Sequence, residues 1–293
     1  MNGHQPGRHG IVVGVDPDRE WHLPLAWAAD EAHRRRLPLR LVLAVPPRHD
    51  TPHADETPGQ NDTPDQIALR RAAADLLEAA CDWVRARHPE ASVTGELVGG
   101  SPAPALGGAA RDARMIVLGS RHLSRTAEFF SAGSLVVPVT AQARCPVVVV
   151  GDAEHISQQP PYVVAGIDGS PSATAALAFA FDEADLRGAT LRVVHVWQPP
   201  LIVLDAEEEA LRARHTLLSE ATAGLSEKYP DVHVTHEVLT GHPVEELARA
   251  AEHALAVVVG RRGRGGYTGM RIGSVVHGLL HRAHCPVITV PTG

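Results

Sequence analysis

Ala256-Val257-Val258-Val259-Gly260-Arg261-Arg262-Gly263, followed after nine residues by Gly273-Ser274, is the stretch on which the fold of this chain turns. The apolar run has the length and β-branched content of a buried strand. The residues after Gly273 have helical spacing up to about Arg282. Strand, glycine loop and helix start in that order aim backbone N–H groups at an anion. Glycine admits close backbone approach, and a helix N-terminus supplies unpaired donors and partial positive charge. Ser274 falls at or beside the N-cap, with a hydroxyl free for the helix or for a phosphate oxygen. Arg261, Arg262, Arg264 and Arg271 crowd the loop, which suits a polyanion. A Gly/Arg surface loop has the same composition, so the stretch needs context.

The context is a second copy. Each of two segments opens with an apolar strand ending in Asp: Ile11–Asp16 and Val163–Asp168. Helical stretches follow (Leu25–Arg35, Thr174–Arg187), then strands Leu39–Val45 and Leu191–Val196, then longer helices near Gln66–Arg87 and Ala206–Lys228. Third strands, Val93–Val98 and Val232–Leu239, lead to Gly100-Ser101-Pro102 and Gly241-His242-Pro243, with proline placed for a first helical turn. Fourth strands are Met115–Leu118 and Ala256–Val259, and both copies close on Cys-Pro and an apolar strand, Cys145–Val150 and Cys285–Val290. The expected domains are 1–150 and 162–293, joined by the proline-stiffened linker 151–161. Strands alternating with helices imply parallel sheets covered on both faces.

At 293 residues the chain has room for two domains of about 140, each able to bury a core. A net charge of −7 argues against a general nucleic-acid surface and sets off the local arginines. Residues 1–10 lack the apolar core of a secretion signal, and no run reaches the roughly 18 apolar residues that span a membrane. Cys81, Cys145 and Cys285 form no CxxC, and the last two hold equivalent places, so buried thiols and a cytoplasmic protein are expected. Segment 46–65, rich in Pro, Thr, His and Asp, reads as a disordered loop or a lid.

These residues together resemble the universal stress protein family in its tandem form. Its nucleotide-binding members carry Gly-x2-Gly-x9-Gly-Ser/Thr after the fourth strand, present here as Gly260, Gly263, Gly273 and Ser274. The resemblance implies two tandem open parallel five-stranded α/β sheets of order 3-2-1-4-5, Rossmann-like or adenine nucleotide alpha hydrolase-like. Ligands of such sheets bind where the strand order reverses. It further implies that Asp168 meets the adenosine end of ATP, with Gly166, Ile167 and Val196 lining the adenine slot. Val259 and Gly260 would sit beside the ribose. Gly263, Gly273, Ser274, Val275 and Val276 would surround the triphosphate, with or without Mg2+. Pairing of the domains through their last strands, and a homodimer, are also implied.

The first copy departs from this pattern. His122 stands where Gly263 stands, and ten residues rather than nine precede Gly133-Ser134. An imidazole there would block phosphates or forbid a positive φ. Asp18 and Glu20 add negative charge after Asp16, so the first copy is expected to be a structural partner.

Rival motifs fail. A P-loop needs Gly-Lys, and the sole lysine is Lys228 beside Tyr229. The dinucleotide fingerprint is missing after Asp168. His277 and His281 have a helical spacing suited to zinc but lack the companion glutamate, so no metal site is assigned. His195 and His236 read as structural. No residue announces itself as a catalytic base for phosphoryl transfer, so no catalytic residue is assigned. A nucleotide-dependent binding module in stress response is the reading. The alternatives are a nucleotide-free interaction module and a very slow ATPase or self-phosphorylating switch with Ser274 as its residue.

Overall fold

Apolar runs become buried strands, and the stretches between them become helices. The computed structural model describes residues 10–17, 21–45, 63–120, 135–151, 155–198, 207–264 and 272–292, the side chain of Glu207 excepted. The first copy runs β1 (Ile11–Gly14), α1 (His22–Arg35), β2 (Leu39–Val45), α2 (Pro64–Arg87), β3 (Val93–Gly99), α3 (Pro102–Ala109), β4 (Met115–Gly119), α4 (Val136–Gln142) and β5 (Val147–Val150). The second runs β6 (Tyr162–Gly166), α5 (Pro171–Arg187), β7 (Thr190–Trp197), α6 (Glu207–Lys228), β8 (Val234–Thr240), α7 (Pro243–Ala250), β9 (Ala256–Gly260), α8 (Ser274–Arg282) and β10 (Val287–Val290).

Compactness divides the chain into Met1–Leu118 and Gly119–Gly293. Within the first unit the strands lie β3-β2-β1-β4, all parallel. Within the second, β8-β7-β6-β9-β10 reproduces the expected order 3-2-1-4-5, also parallel. Strand β5 belongs to this second unit. It runs antiparallel to β10, with Val149 opposite Val287 and Val147 opposite Thr289. All four side chains of β5 and of β10 are buried, so this sheet edge is covered.

Right-handed crossovers made in opposite directions from β6 put α5 and α6 on one face and α7 and α8 on the other. The contacts agree: α5 packs on α6 and on β6, β9 and β10, whereas α7 packs on α8, β6 and β7. Val163, Val164, Val257, Val258 and Ile288 are fully inaccessible, as central strands of a doubly covered sheet must be.

The element ends follow local chemistry. Proline occupies the first turn of α2, α3, α5 and α7, where its missing N–H leaves nothing unpaired. The helix expected from Gln66 starts two residues earlier, because Thr63 and Gln66 close a reciprocal capping box. The third strand of the second copy, expected from Val232, begins at Val234. Of segment 46–65, residues 46–62 lie outside the described residues, as do His122, Gly133 and Ser134 of the first copy's loop. Cys81, Cys145 and Cys285 are unbridged and buried, and burial pushes the Cys285 thiol up to about 12. Among the described residues no helix is long and apolar enough to cross a membrane.

Candidate functional site

Strand order reverses between β6 and β9, which pair with Gly166 opposite Val259. Beyond their carboxyl ends lies a cavity of about 370 Å³. All eleven residues expected from sequence line it: Gly166, Ile167, Asp168, Val196, Val259, Gly260, Gly263, Gly273, Ser274, Val275 and Val276. Neighbouring strands of a parallel sheet end together, so residues far apart in sequence reach one rim.

Two loops are tied to each other under this rim. The Asp168 carboxylate accepts from the backbone N–H of Ser170 (2.9 Å) and, with its other oxygen, from the N–H of Arg264 (2.9 Å). Gly169 between them takes φ +75°, which suits glycine. Ser170 caps α5, accepting from Ala173 N–H at 3.1 Å, and its hydroxyl donates to the Arg262 carbonyl at 3.4 Å. Ser172 accepts from Arg262 N–H at 3.4 Å and donates to the Val290 carbonyl at 3.2 Å. The loop after β9 is thus stitched to the start of α5 by one carboxylate and two hydroxyls.

These contacts set the glycine requirements. A Cβ at Gly263 would stand 2.6 Å from Asp168 Oδ2. A Cβ at Gly260 would stand 2.6 Å from the Ser172 carbonyl carbon and 2.8 Å from Ala173 N, both backbone. The sequence expectation for Gly263 needs correcting here. Among the described residues the glycines with positive φ are Gly100, Gly169, Gly188 and Gly241, so Gly263 is needed for its closeness to the Asp168 carboxylate rather than for a left-handed backbone.

Helix α8 opens towards the cavity. Its N-cap is Gly273, which carries no capping side chain; Gly273 N–H donates to the Arg261 carbonyl at 2.9 Å, and His277 N–H is the first to bond back, to Gly273. The N–H groups of Ser274, Val275 and Val276 remain at a helix N-terminus lining the cavity, a ready anion cradle. Ser274 is the first helical residue rather than the cap.

The arginines do not act together. Arg262 and Arg264 line the cavity, whereas Arg261 turns away and donates from Nη1 to the Ala143 carbonyl at 2.6 Å. Arg271 lies outside the described residues.

The far end of the cavity is apolar, formed by Ile167, Val194, Val196, Leu247 and Val259. The His195 Nδ1–H donates to the Ile167 carbonyl at 2.7 Å and so fixes the backbone of this slot. His236 bonds Thr222 Oγ1 at 2.9 Å, and burial, with the His215 charge, holds its pKa below the ordinary value. Both histidines have the structural roles expected of them. The His277 and His281 rings lie 5.1 Å apart, tilted by 47°, and among the described residues no group of side chains is arranged to hold a metal ion.

Sequence reasoning missed Ser170, Val194, Leu247 and Ile272, which also line the cavity. Ser170-Pro171 after a glycine is an N-cap signal that would have identified the first. Val194 and Leu247 are apolar positions that only the packing of β7 and α7 brings to the rim, and Ile272 directly precedes the N-cap of α8.

The first copy is built differently before its first helix. Between the strand-end Asp and the helix it has five residues, Pro17 to Trp21, where the second has two. Trp21 caps α1 without any side-chain bond, in the position that Ser170 fills for α5.

The chain matches the universal stress protein family twice, over residues 7–151 and 162–291. It is 36% identical over 287 residues to universal stress protein Rv2005c of Mycobacterium tuberculosis, with 96% of each chain covered. A second relative from that organism, universal stress protein Rv2623, is 33% identical over 95% of each chain. The solved structure of a universal stress protein from Archaeoglobus fulgidus shares the fold at a TM-score of 0.71 and 18% identity, covering 98% of this chain and 97% of that one. Two family matches, in the order of the two sequence copies, leave one assignment: this chain is a member of the universal stress protein family, in its tandem form.

Proposed function

We propose that the second copy binds ATP and that the protein acts as a nucleotide-dependent regulatory module rather than as a catalyst. One observation carries this reading: a single cavity joins an apolar slot to the uncapped N-terminus of α8. An adenine ring suits the slot formed by Ile167, Val194 and Val196, and a triphosphate suits the N–H groups of Ser274 to Val276. Each donor at the helix end contributes roughly 0.3–1 kcal/mol, so the several donors must act together, with Arg262 and Arg264 adding charge-assisted bonds.

The residues present fit the nucleotide better than a resident metal. Asp168 is the one carboxylate among the described residues lining the cavity, and backbone N–H groups already engage both its oxygens. Mg2+ would therefore be carried by the phosphates. The same engagement leaves Asp168 poorly placed as a general base, which favours binding over hydrolysis. The first copy, with its longer connection before α1 and His122 in the glycine position, serves as the structural partner. Antiparallel packing of β5 on β10 is the surface through which the copies support each other, and cytoplasmic location and homodimer formation complete the proposal.

Calorimetric titration of ATP into the wild-type chain and a Gly263→His variant tests it. One site per chain is expected, with affinity at least about tenfold weaker in the variant, because the imidazole displaces the loop from Asp168. Unchanged affinity in the variant, or two sites per wild-type chain, contradicts the assignment.

A further inference from the structure

A second space in the Gly119–Gly293 unit has no part in the nucleotide reading. It is a cleft of about 600 Å³ bounded by the end of α4 and the two residues after it (Ala141 to Arg144), by Arg261 and Arg262, and by Pro291 and Thr292 after β10. No carboxylate stands among these residues. Arg261 is anchored: its Nη1 donates to the Ala143 carbonyl at 2.6 Å and to the Ala141 carbonyl at 3.5 Å. Those carbonyls are the unpaired acceptors at a helix C-terminus, so the guanidinium is held in one orientation. Its Nε is buried without a hydrogen-bond partner. Burial, together with the adjacent Arg262 charge, holds the Arg261 pKa below its ordinary value. Arg144 is exposed beside it, and among the described residues neither Arg144 nor Arg262 forms an ion pair.

We propose that Arg144, Arg261 and Arg262 form a second anion site, which takes a free oligophosphate such as pyrophosphate. Three guanidinium groups facing one cleft, with no carboxylate among the described residues that line it, repel one another until an anion enters. A singly charged ion would leave most of that repulsion in place, whereas an oligophosphate offers several oxygens in the geometry that guanidinium forks recognise. Anchoring of Arg261 on α4 lowers the ordering cost of binding. Arg262 lines both this cleft and the nucleotide cavity, so it is unsuitable for a test. Arg144 is exposed and lines only the cleft, so its substitution leaves the fold intact.

The test is calorimetric titration of pyrophosphate into the full chain as wild type, Arg144→Gln, Arg144→Glu and Gly263→His. Pyrophosphate is expected to bind the wild type, about tenfold more weakly Arg144→Gln, and not detectably Arg144→Glu, while both Arg144 variants keep the wild-type affinity for ATP. Each variant should keep the wild-type melting midpoint within the shift of a surface substitution, apart from Gly263→His. Binding that is untouched by both Arg144 variants, binding lost only in Gly263→His, or no binding to any protein overturns the proposal. ATP titrated into the same four proteins reports on the other cavity, so the two assignments stand or fall separately.

Discussion

Gly260 and Gly263 do different work from the glycines of turns. Neither has a left-handed backbone; both leave room for another chain segment, Gly260 for the backbone at Ser172 and Ala173 and Gly263 for the Asp168 carboxylate. A methyl group at Gly260 meets backbone atoms that cannot rotate away. Gly260→Ala is therefore expected to destabilise the chain by about 1–3 kcal/mol, the usual cost of overpacking, read as a lower denaturant midpoint with an unchanged slope. Stability equal to wild type would mean that β9 and α5 are less tightly joined than described. At this scale the sequence was legible in part. The spacing of Gly260, Gly263, Gly273 and Ser274 located the site, but the reason for Gly263 required knowing what stands opposite it. Arg261 shows the same limit, since its place in the glycine loop put it with the nucleotide, while the open carbonyls of α4 turn it away from the nucleotide cavity.

Helix ends carry the clearest contrast between the copies. Helix α5 ends at Gly188 with φ +57°, its N–H bonding back to Ala184 and Asp185; α1 ends in the same geometry at Arg36, with φ +54°. The following residues, Ala189 and Leu37, complete equivalent bonds to Ala184 and Ala32. This is a left-handed helix ending, natural for glycine and strained for arginine. Arg36→Gly is expected to stabilise the chain by about 0.5–1 kcal/mol, despite the added freedom of the unfolded state, and equilibrium denaturation would show it. A loss of stability would mean that the Arg36 side chain makes contacts worth more than the strain. Most helix and strand boundaries could be read within a few residues from apolar runs and proline. The buried Glu31–Arg35 and Glu183–Arg187 pairs could not, because an i,i+4 ion pair looks the same in sequence whether it faces water or the core.

Across the whole molecule, burial of histidines sets a pH dependence. His236, His277 and His281 all bind protons less readily in the folded chain than the free side chain does, with desolvation the leading cause. Below a pH of about 6.5 the unfolded chain then takes up more protons than the folded one, so stability is lost as pH falls and is fully present above that value. The denaturant midpoint is expected to fall between about pH 7 and pH 5, and His236→Asn should flatten the slope; a flat wild-type profile would contradict it. The tandem plan was legible because repetition doubles every weak signal: two strand-end aspartates, two Gly-x-Pro helix starts and two Cys-Pro strands support one another. The pairing of β5 with β10 was anticipated from the family resemblance and not from the repeat, and what neither conveyed is that β5 falls in the compact unit of the second copy.

The central claim is that ATP phosphates rest on the N-terminus of α8. The most direct test is the backbone amide NMR spectrum of the full chain with and without ATP. The account predicts the largest shifts at Ser274, Val275 and Val276, with smaller ones at Ile167, Asp168 and Gly263 and none near Gly14 and Leu118 of the first copy. Shifts centred on the first copy, or an unperturbed α8 N-terminus at saturating ATP, would contradict it.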